Sequence, residues 1–156
     1  LTQLKEYGIL TPKLTIAGGA GAVSQQNLGA MNGAAEGFLS AAGYSIDIDT
    51  PANKKFVAAF KAQFNVDPDL FAADTYGLIY LFKQAIEKAG GTDTNKLRAA
   101  MEDATWDTPQ GKKTMRKGDH QAVVDMVVVR VKGNDFETVG TVPGNEAVGP
   151  DKCEKF

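Results

Sequence analysis

The stretch from Thr15 to Ala35 carries no charged side chain, and on length alone it could cross a bilayer. Its interior excludes that. Gly18, Gly19, Gly21, Gly29 and Gly33 alternate with Ser24, Gln25, Gln26, Asn27 and Asn32, whose polar groups would stand unsatisfied in hydrocarbon. A chain built around such a stretch must take its core from the segments on either side. With 156 residues, 43% of them hydrophobic and 23% charged, it has the length and composition of a globular domain rather than of a disordered chain. Seventeen basic against nineteen acidic side chains leave a net charge of -2, so no overall positive field gathers phosphates and nucleic acid is not an expected partner. The chain opens on Leu1 with no basic segment leading into an apolar one, and it reads as a processed product or a piece of a longer protein.

Helix and strand signals alternate along the first third. Leu1, Leu4 and Tyr7 share a helical face that Gly8 closes, and Leu14 to Ala17 reads as a short strand running into Gly18-Gly19-Ala20-Gly21. Gln25 to Met31 follows as a weak helix and Phe38 to Ser40 as a second short strand. Three amphipathic helices are then expected in series. Thr50 and Pro51 form a cap and first-turn pair ahead of Phe56, Val57, Phe60 and Phe64. Asp74 is a candidate cap for the second helix, with Leu78, Ile79, Phe82 and Ile86 facing inward until Gly90-Gly91, and the third starts near Thr94 with Leu97, Met101 and Ala104 on one face. Trp106 to Gly118 reads as an extended surface connection, Val123 to Val131 as a strand buried on both faces, and Phe136 to Val142 as its hairpin partner across Lys132-Gly133-Asn134-Asp135.

The supply of reactive groups is thin. His120 is the only histidine and Cys153 the only cysteine, so this chain cannot assemble a zinc site of nitrogen and sulfur ligands, and no metal or other cofactor is expected. His120 reads as a structural, hydrogen-bonded residue rather than a base. Cys153 reads as a free surface thiol or, in an exported protein, as half of a pair whose partner lies elsewhere. The glycine loop at 18–21 follows a strand but matches neither the phosphate-loop nor the dinucleotide fingerprint, so a plain turn and a ligand loop both remain open. Phe71 could cover a pocket or pack against Phe56 or Phe60, and Lys112, Lys113, Arg116 and Lys117 read as a solvated basic strip.

Four segments in register carry a resemblance: Ala35-Glu36-Gly37-Phe38-Leu39, Thr50-Pro51-Ala52-Asn53-Lys54, Ala72-Ala73-Asp74-Thr75-Tyr76 and Thr108-Pro109-Gln110-Gly111. From Leu1 to about Val142 the chain resembles the periplasmic substrate-binding proteins of branched-chain amino-acid type ABC transporters. Asp119-His120-Gln121-Ala122 and the late Pro143-Gly144 are similar to a subgroup that takes aromatic acids and other non-amino-acid solutes. The resemblance implies an α/β architecture, the type I periplasmic-binding-protein fold, of which this chain is the C-terminal portion and contributes to both Rossmann-like lobes. On that basis residues 1–40 end the first pass through the second lobe, 41–49 cross between lobes, 50–107 complete the first lobe with three helices, 108–122 cross back, 123–142 form a second-lobe β-hairpin and 143–156 are the tail. The three helices would then expose faces meant to cover a sheet that this chain lacks.

The resemblance further implies a non-enzymatic protein that holds a small solute between its lobes and delivers it to an ABC permease in the inner membrane, from a periplasmic location. Phe71 matches an aromatic that packs on the ligand, while Ala20 stands where amino-acid binders place an acid that pairs with the ligand's ammonium group. An ammonium left unpaired in a closed cleft costs roughly several kcal/mol, so an aromatic or other carboxylic acid is expected ahead of an α-amino acid. Gly18, Gly19 and Gly21 are expected to line the cleft with backbone, and Tyr76 is a neighbouring candidate. No catalytic or metal-binding residue is expected, and the missing N-terminal part of the same protein is expected as a partner. Three competing readings are an amino-acid binder using another acid, a ligand-sensing receptor domain, and a small α/β enzyme built on the glycine loop.

Overall fold

A computed structural model of the chain describes residues 1–152 except positions 12 and 20. Two sheets and three longer helices organise it. The first sheet has the order β1-β2-β6-β7, with β1 (Ala17–Gly18) parallel to β2 (Leu39–Ala42) and β6 (Met126–Lys132) antiparallel to both β2 and β7 (Asp135–Val142). Val127, Val129 and Val131 are buried while Arg130 is exposed, so β6 alternates along its length and is not sealed on both sides as its unbroken apolar run predicts. Val131 joins Val23, Leu28, Ala35 and Phe38 in one apolar cluster beneath this sheet. The short helix α1 (Thr2–Glu6) precedes it, and α2 (Gln25–Leu28) with one 3-10 turn at Gly29–Met31 bridges β1 to β2. Of the expected Leu14 to Ala17 strand only Ala17 is paired, the pairing running on into Gly18, and Leu14 is exposed.

The middle of the chain is helical for reasons its caps make plain. The Thr50 side chain accepts from the Asn53 amide at 3.1 Å and opens α3 (Pro51–Phe64), which Asn65 closes in the left-handed region. The next helix begins earlier than expected. Asp69, not Asp74, caps α4 (Leu70–Ala89) by accepting from the Ala72 amide at 2.8 Å, and Gly90 ends it with φ +68°. Asp93 likewise caps α5 (Thr94–Met101).

A second correction concerns which side of α4 packs. Ala73, Gly77, Leu81 and Ala85 are its buried residues, whereas Leu78, Ile79, Phe82 and Ile86 are exposed, Ile79 by 62%. The packed residues are mostly small and the open ones large and apolar, so hydrophobicity alone points to the wrong face. Together with Phe64 of α3, those side chains leave the open apolar faces that the resemblance implies.

The segment expected as a surface connection is a hairpin instead. In the second sheet, β3 (Thr105–Thr108) pairs with β4 (Gly111–Met115), and β5 (Ala122–Val123) pairs with β4. Trp106, Thr108, Gln110 and Lys113 are buried. Lys113 reaches the Asp74 carboxylate at 2.6 Å and Arg116 pairs with Asp119, so half of the supposed solvated strip is engaged in packing. Val124 and Asp125 join β5 of this sheet to β6 of the first. The tail forms a short helix, α6 (Gly144–Ala147), whose first amide donates to Asp125 at 2.8 Å. Cys153 lies outside the described residues, and His120 is half exposed with its Nε2 3.5 Å from Glu102.

Candidate functional site

A cavity of about 80 Å³ lies between the first sheet and the start of α4. One wall comes from the first sheet and the loop after β1: Gly21, Ser24 and Ser40. The other comes from the loop after β2 and the start of α4: Tyr44, Ser45 and Phe71. Each wall is held by bonds that the local sequence supplies. The Ser40 hydroxyl donates to the Gly19 carbonyl at 3.2 Å and ties the glycine loop to β2, and Gly21 turns that loop with φ +84°, a region open to glycine and strained for side chains. Opposite, Asn53 is fully buried and orders the loop before α3. Its side-chain amide donates to the Ile46 and Ile48 carbonyls at 2.9 Å each, and its oxygen accepts from the Tyr44 hydroxyl at 2.9 Å. Burial, aided by Asp67, Asp47 and Asp69, pushes the Tyr44 hydroxyl well above its ordinary range, so it stays a neutral donor at any working pH.

Phe71 sits in the first turn of α4 and is 62% exposed, its ring reaching across the cavity toward Gly21. A methyl group placed on Gly21 would lie 3.8 Å from the ring's Cζ, so the two residues face each other in ordinary van der Waals range. Of the other expected residues, Gly18 belongs to β1 and is packed under Phe38, whose ring would stand 2.6 Å from any Cβ there, and Gly19 is exposed beside the cavity. Ala20 lies outside the described residues. Tyr76 does not line the cavity; its ring packs at a tilt against Phe56, centroids 4.8 Å apart, and its hydroxyl shares a hydrogen bond with Tyr80. The geometry thus brings Gly21 and Phe71 together and leaves Gly18 and Tyr76 in packing roles.

Sequence reasoning missed Ser40, Tyr44, Ser45 and Asn53. Pro68-Asp69 ahead of an apolar run was a legible helix start. Nothing in the sequence marks Asn53 as buried, because an amide in a first turn is equally at home in solvent.

Three carboxylates, Asp67, Asp69 and Asp135, also border the cavity, and no Lys, Arg or His does among the described residues. Asp69 caps α4, Asp135 accepts from the Phe136 amide, and Asp67 is ion-paired with the Lys61 ammonium at 2.8 Å, its Oδ1 being buried without a well-aligned hydrogen bond. Hydroxyls, backbone groups and one aromatic ring facing a glycine turn make a surface for holding a small molecule.

Two α/β regions with a cleft between them, one wall aromatic and the other a glycine turn, define a class of ligand-binding protein. This chain belongs to the periplasmic binding protein family, whose model matches residues 1–136. It forms part of the α/β type I fold of that family, whose members bind solutes and are not enzymes. A leucine-, isoleucine-, valine-, threonine- and alanine-binding protein of Pseudomonas aeruginosa is 37% identical over 79 residues, 50% of this chain and 21% of that protein. A solved ABC-type branched-chain amino acid transporter protein from Rhodopseudomonas palustris CGA009 is 32% identical, with a TM-score of 0.75 over 97% of this chain and 40% of its own. An ABC transporter solute-binding protein from Rhodopseudomonas palustris BisB5, solved with 3,4-dihydroxybenzoic acid, is 27% identical, with a TM-score of 0.79 over 92% of this chain and 41% of its own. The chain thus spans about two-fifths of the length of the solved structures it matches.

Proposed function

We propose that this chain is the C-terminal portion of the solute-binding subunit of an ABC importer, that it works in the periplasm, and that it captures an aromatic or other small carboxylic acid between two lobes for delivery to the permease. The observation that carries this reading is Phe71 facing Gly21 across the cleft, with each neighbouring carboxylate already serving a partner within this chain. A ring stacked on Phe71 gains the burial and geometry of an aromatic pair, about 0.5–1.5 kcal/mol beyond area alone. An ammonium group, by contrast, would have to share Asp67, Asp69 or Asp135 with the partner each already serves. The groups that hold the ligand's carboxylate would come from the N-terminal part of the same protein, which would also cover the open faces of α3 and α4. Residues 1–40 and 123–142 would serve the second lobe, 50–107 the first. Gly18, Gly19 and Ala20 would support or line the second-lobe wall, and Tyr76 would back Phe56 behind the first.

Amino-acid binding is the second reading. The 37%-identical amino-acid-binding relative and the three carboxylates at the cleft favour it. Calorimetric titration of the full-length protein with 3,4-dihydroxybenzoate, benzoate, leucine and alanine separates the two. The aromatic-acid reading expects tight binding of an aromatic acid, weakened about 10- to 100-fold by Phe71→Ala. Binding of leucine alone would replace it with the amino-acid reading, and an unchanged affinity in Phe71→Ala would remove this cleft from either.

A further inference from the structure

Phe71 is too exposed for its own surroundings to fix its ring, so its pose must come from the backbone of α4. Asp69 holds the start of that helix from below, and Asp74, one turn on from Phe71, is held from the side. Both Lys113 Nζ and Gln110 Nε2 donate to the same Asp74 oxygen at 2.6 Å. The two donors are nearly buried, Lys113 being 8% and Gln110 5% exposed, and both stand on the β3–β4 hairpin. The hairpin turn is itself braced, since the Thr108 hydroxyl donates to the Gly111 carbonyl at 2.7 Å and accepts from the Gln110 amide at 3.2 Å. One turn further along α4, Gly77 lies so close to Thr108 that an added Cβ would stand 2.9 Å from its methyl group.

The chemistry of this grip suits positioning better than stability. Lys113 is buried but the Asp74 side chain is 47% exposed, so solvent screens the Coulombic attraction and the pair adds little to stability, whereas its directional bonds specify one geometry. The site also tolerates a defect that a packing solution would not. Gln110 Oε1 is buried with no hydrogen-bond partner, and it borders a cavity of about 550 Å³ that shares Leu70 with the ligand cleft.

We propose that Lys113 and Gln110, acting through Asp74, are positioning residues that set the pose of Phe71 and hence the affinity of the cleft; this rests on the cleft reading above. The test places 4-fluorophenylalanine at position 71 of the full-length protein and records its fluorine resonance, thermal midpoint and affinity for 3,4-dihydroxybenzoate and leucine. One narrow resonance is expected in the parent. Lys113→Met is expected to broaden or split that resonance and raise the dissociation constant of whichever probe binds about tenfold, with the midpoint moved by only ~2 °C. Lys113→Arg is expected to restore both. Gln110→Ala and Asp74→Asn repeat the experiment should Lys113→Met fail to fold. A resonance and affinity unchanged in all the variants that fold would overturn the proposal and leave the cleft reading standing. A resonance that moves in a protein binding neither probe would support the positioning role while removing the cleft reading.

Discussion

The first sheet and the α3–α4 layer solve the same problem with opposite degrees of completeness. Along β6 the apolar residues alternate inward onto Phe38 and Leu28, and an outward position carries Arg130. The exposed apolar side chains of that region, Tyr7, Ile9 and Leu14, lie on the segment leading into β1, apart from Val139 on β7. In α4, by contrast, the buried stripe is Ala73, Gly77, Leu81 and Ala85, with Leu81 packed on Trp106 and Ala104 and Ala73 on Tyr44 and Phe56, while Leu78, Ile79, Phe82 and Ile86 form a second, open stripe. Small residues on the packed side let the helix approach the hairpin closely, as at Gly77 and Thr108. Large ones on the open side are what a helix carries when another layer lies over it. The sheet's pattern is satisfied within this chain, and the open stripe of the helices fits the further layer proposed above.

Pairing one residue from each stripe sharpens that comparison. Leu81→Ala removes a side chain that is 1% exposed and is expected to cost about 3 kcal/mol, in this chain and in the full-length protein alike. Ile79→Ala is expected to cost no more than about 0.5 kcal/mol in this chain and about 3 kcal/mol in the full-length protein, where the open stripe would be covered. Urea melts of both variants in both forms check this. Equal, small costs for Ile79→Ala would break the idea of a missing layer.

How far the sequence could be read follows the same division. The α3 helix was legible through Thr50-Pro51 and its phenylalanines, and the β6–β7 hairpin through its β-branched run and Lys132-Gly133-Asn134-Asp135 turn. The inward face of α4 was not, because its packed stripe is built mostly of small residues and its open stripe of large apolar ones, so hydrophobicity points to the wrong side. The β3–β4 hairpin was hidden for a different reason: Lys112, Lys113 and Arg116 look like surface, yet Lys113 buries its stem and meets a carboxylate thirty-nine positions away, a pairing with no local signal. Within the cleft, Phe71 and Gly21 were named from the sequence, while Ser40, Tyr44 and Asn53 depend on long-range packing.

The smallest expected effect lies at the connection between the two regions. Arg116 hydrogen-bonds the Asp119 carboxylate and holds its pKa down to about 2, while Nη1 of the same guanidinium donates to the Gly149 carbonyl of the tail at 2.7 Å. A carboxylate with a depressed folded pKa adds stability that is fully present above its unfolded value near 4 and lost as pH falls through about 2. The stability difference between the parent and Asp119→Asn is therefore expected to shrink toward zero between about pH 4 and pH 2, measured by urea melts across that range. A difference independent of pH would show that the bond to Arg116 does not depend on the ionised form.

The central claim is that loop 21–25 and the start of α4 close on one ligand. Hydrogen exchange of the full-length protein, followed by mass spectrometry with and without the acid that binds, measures this at both walls at once. Residues 21–25 and 67–73 are expected to gain protection together, with α5 unchanged. Protection confined to one wall, or appearing only far from both, would contradict it.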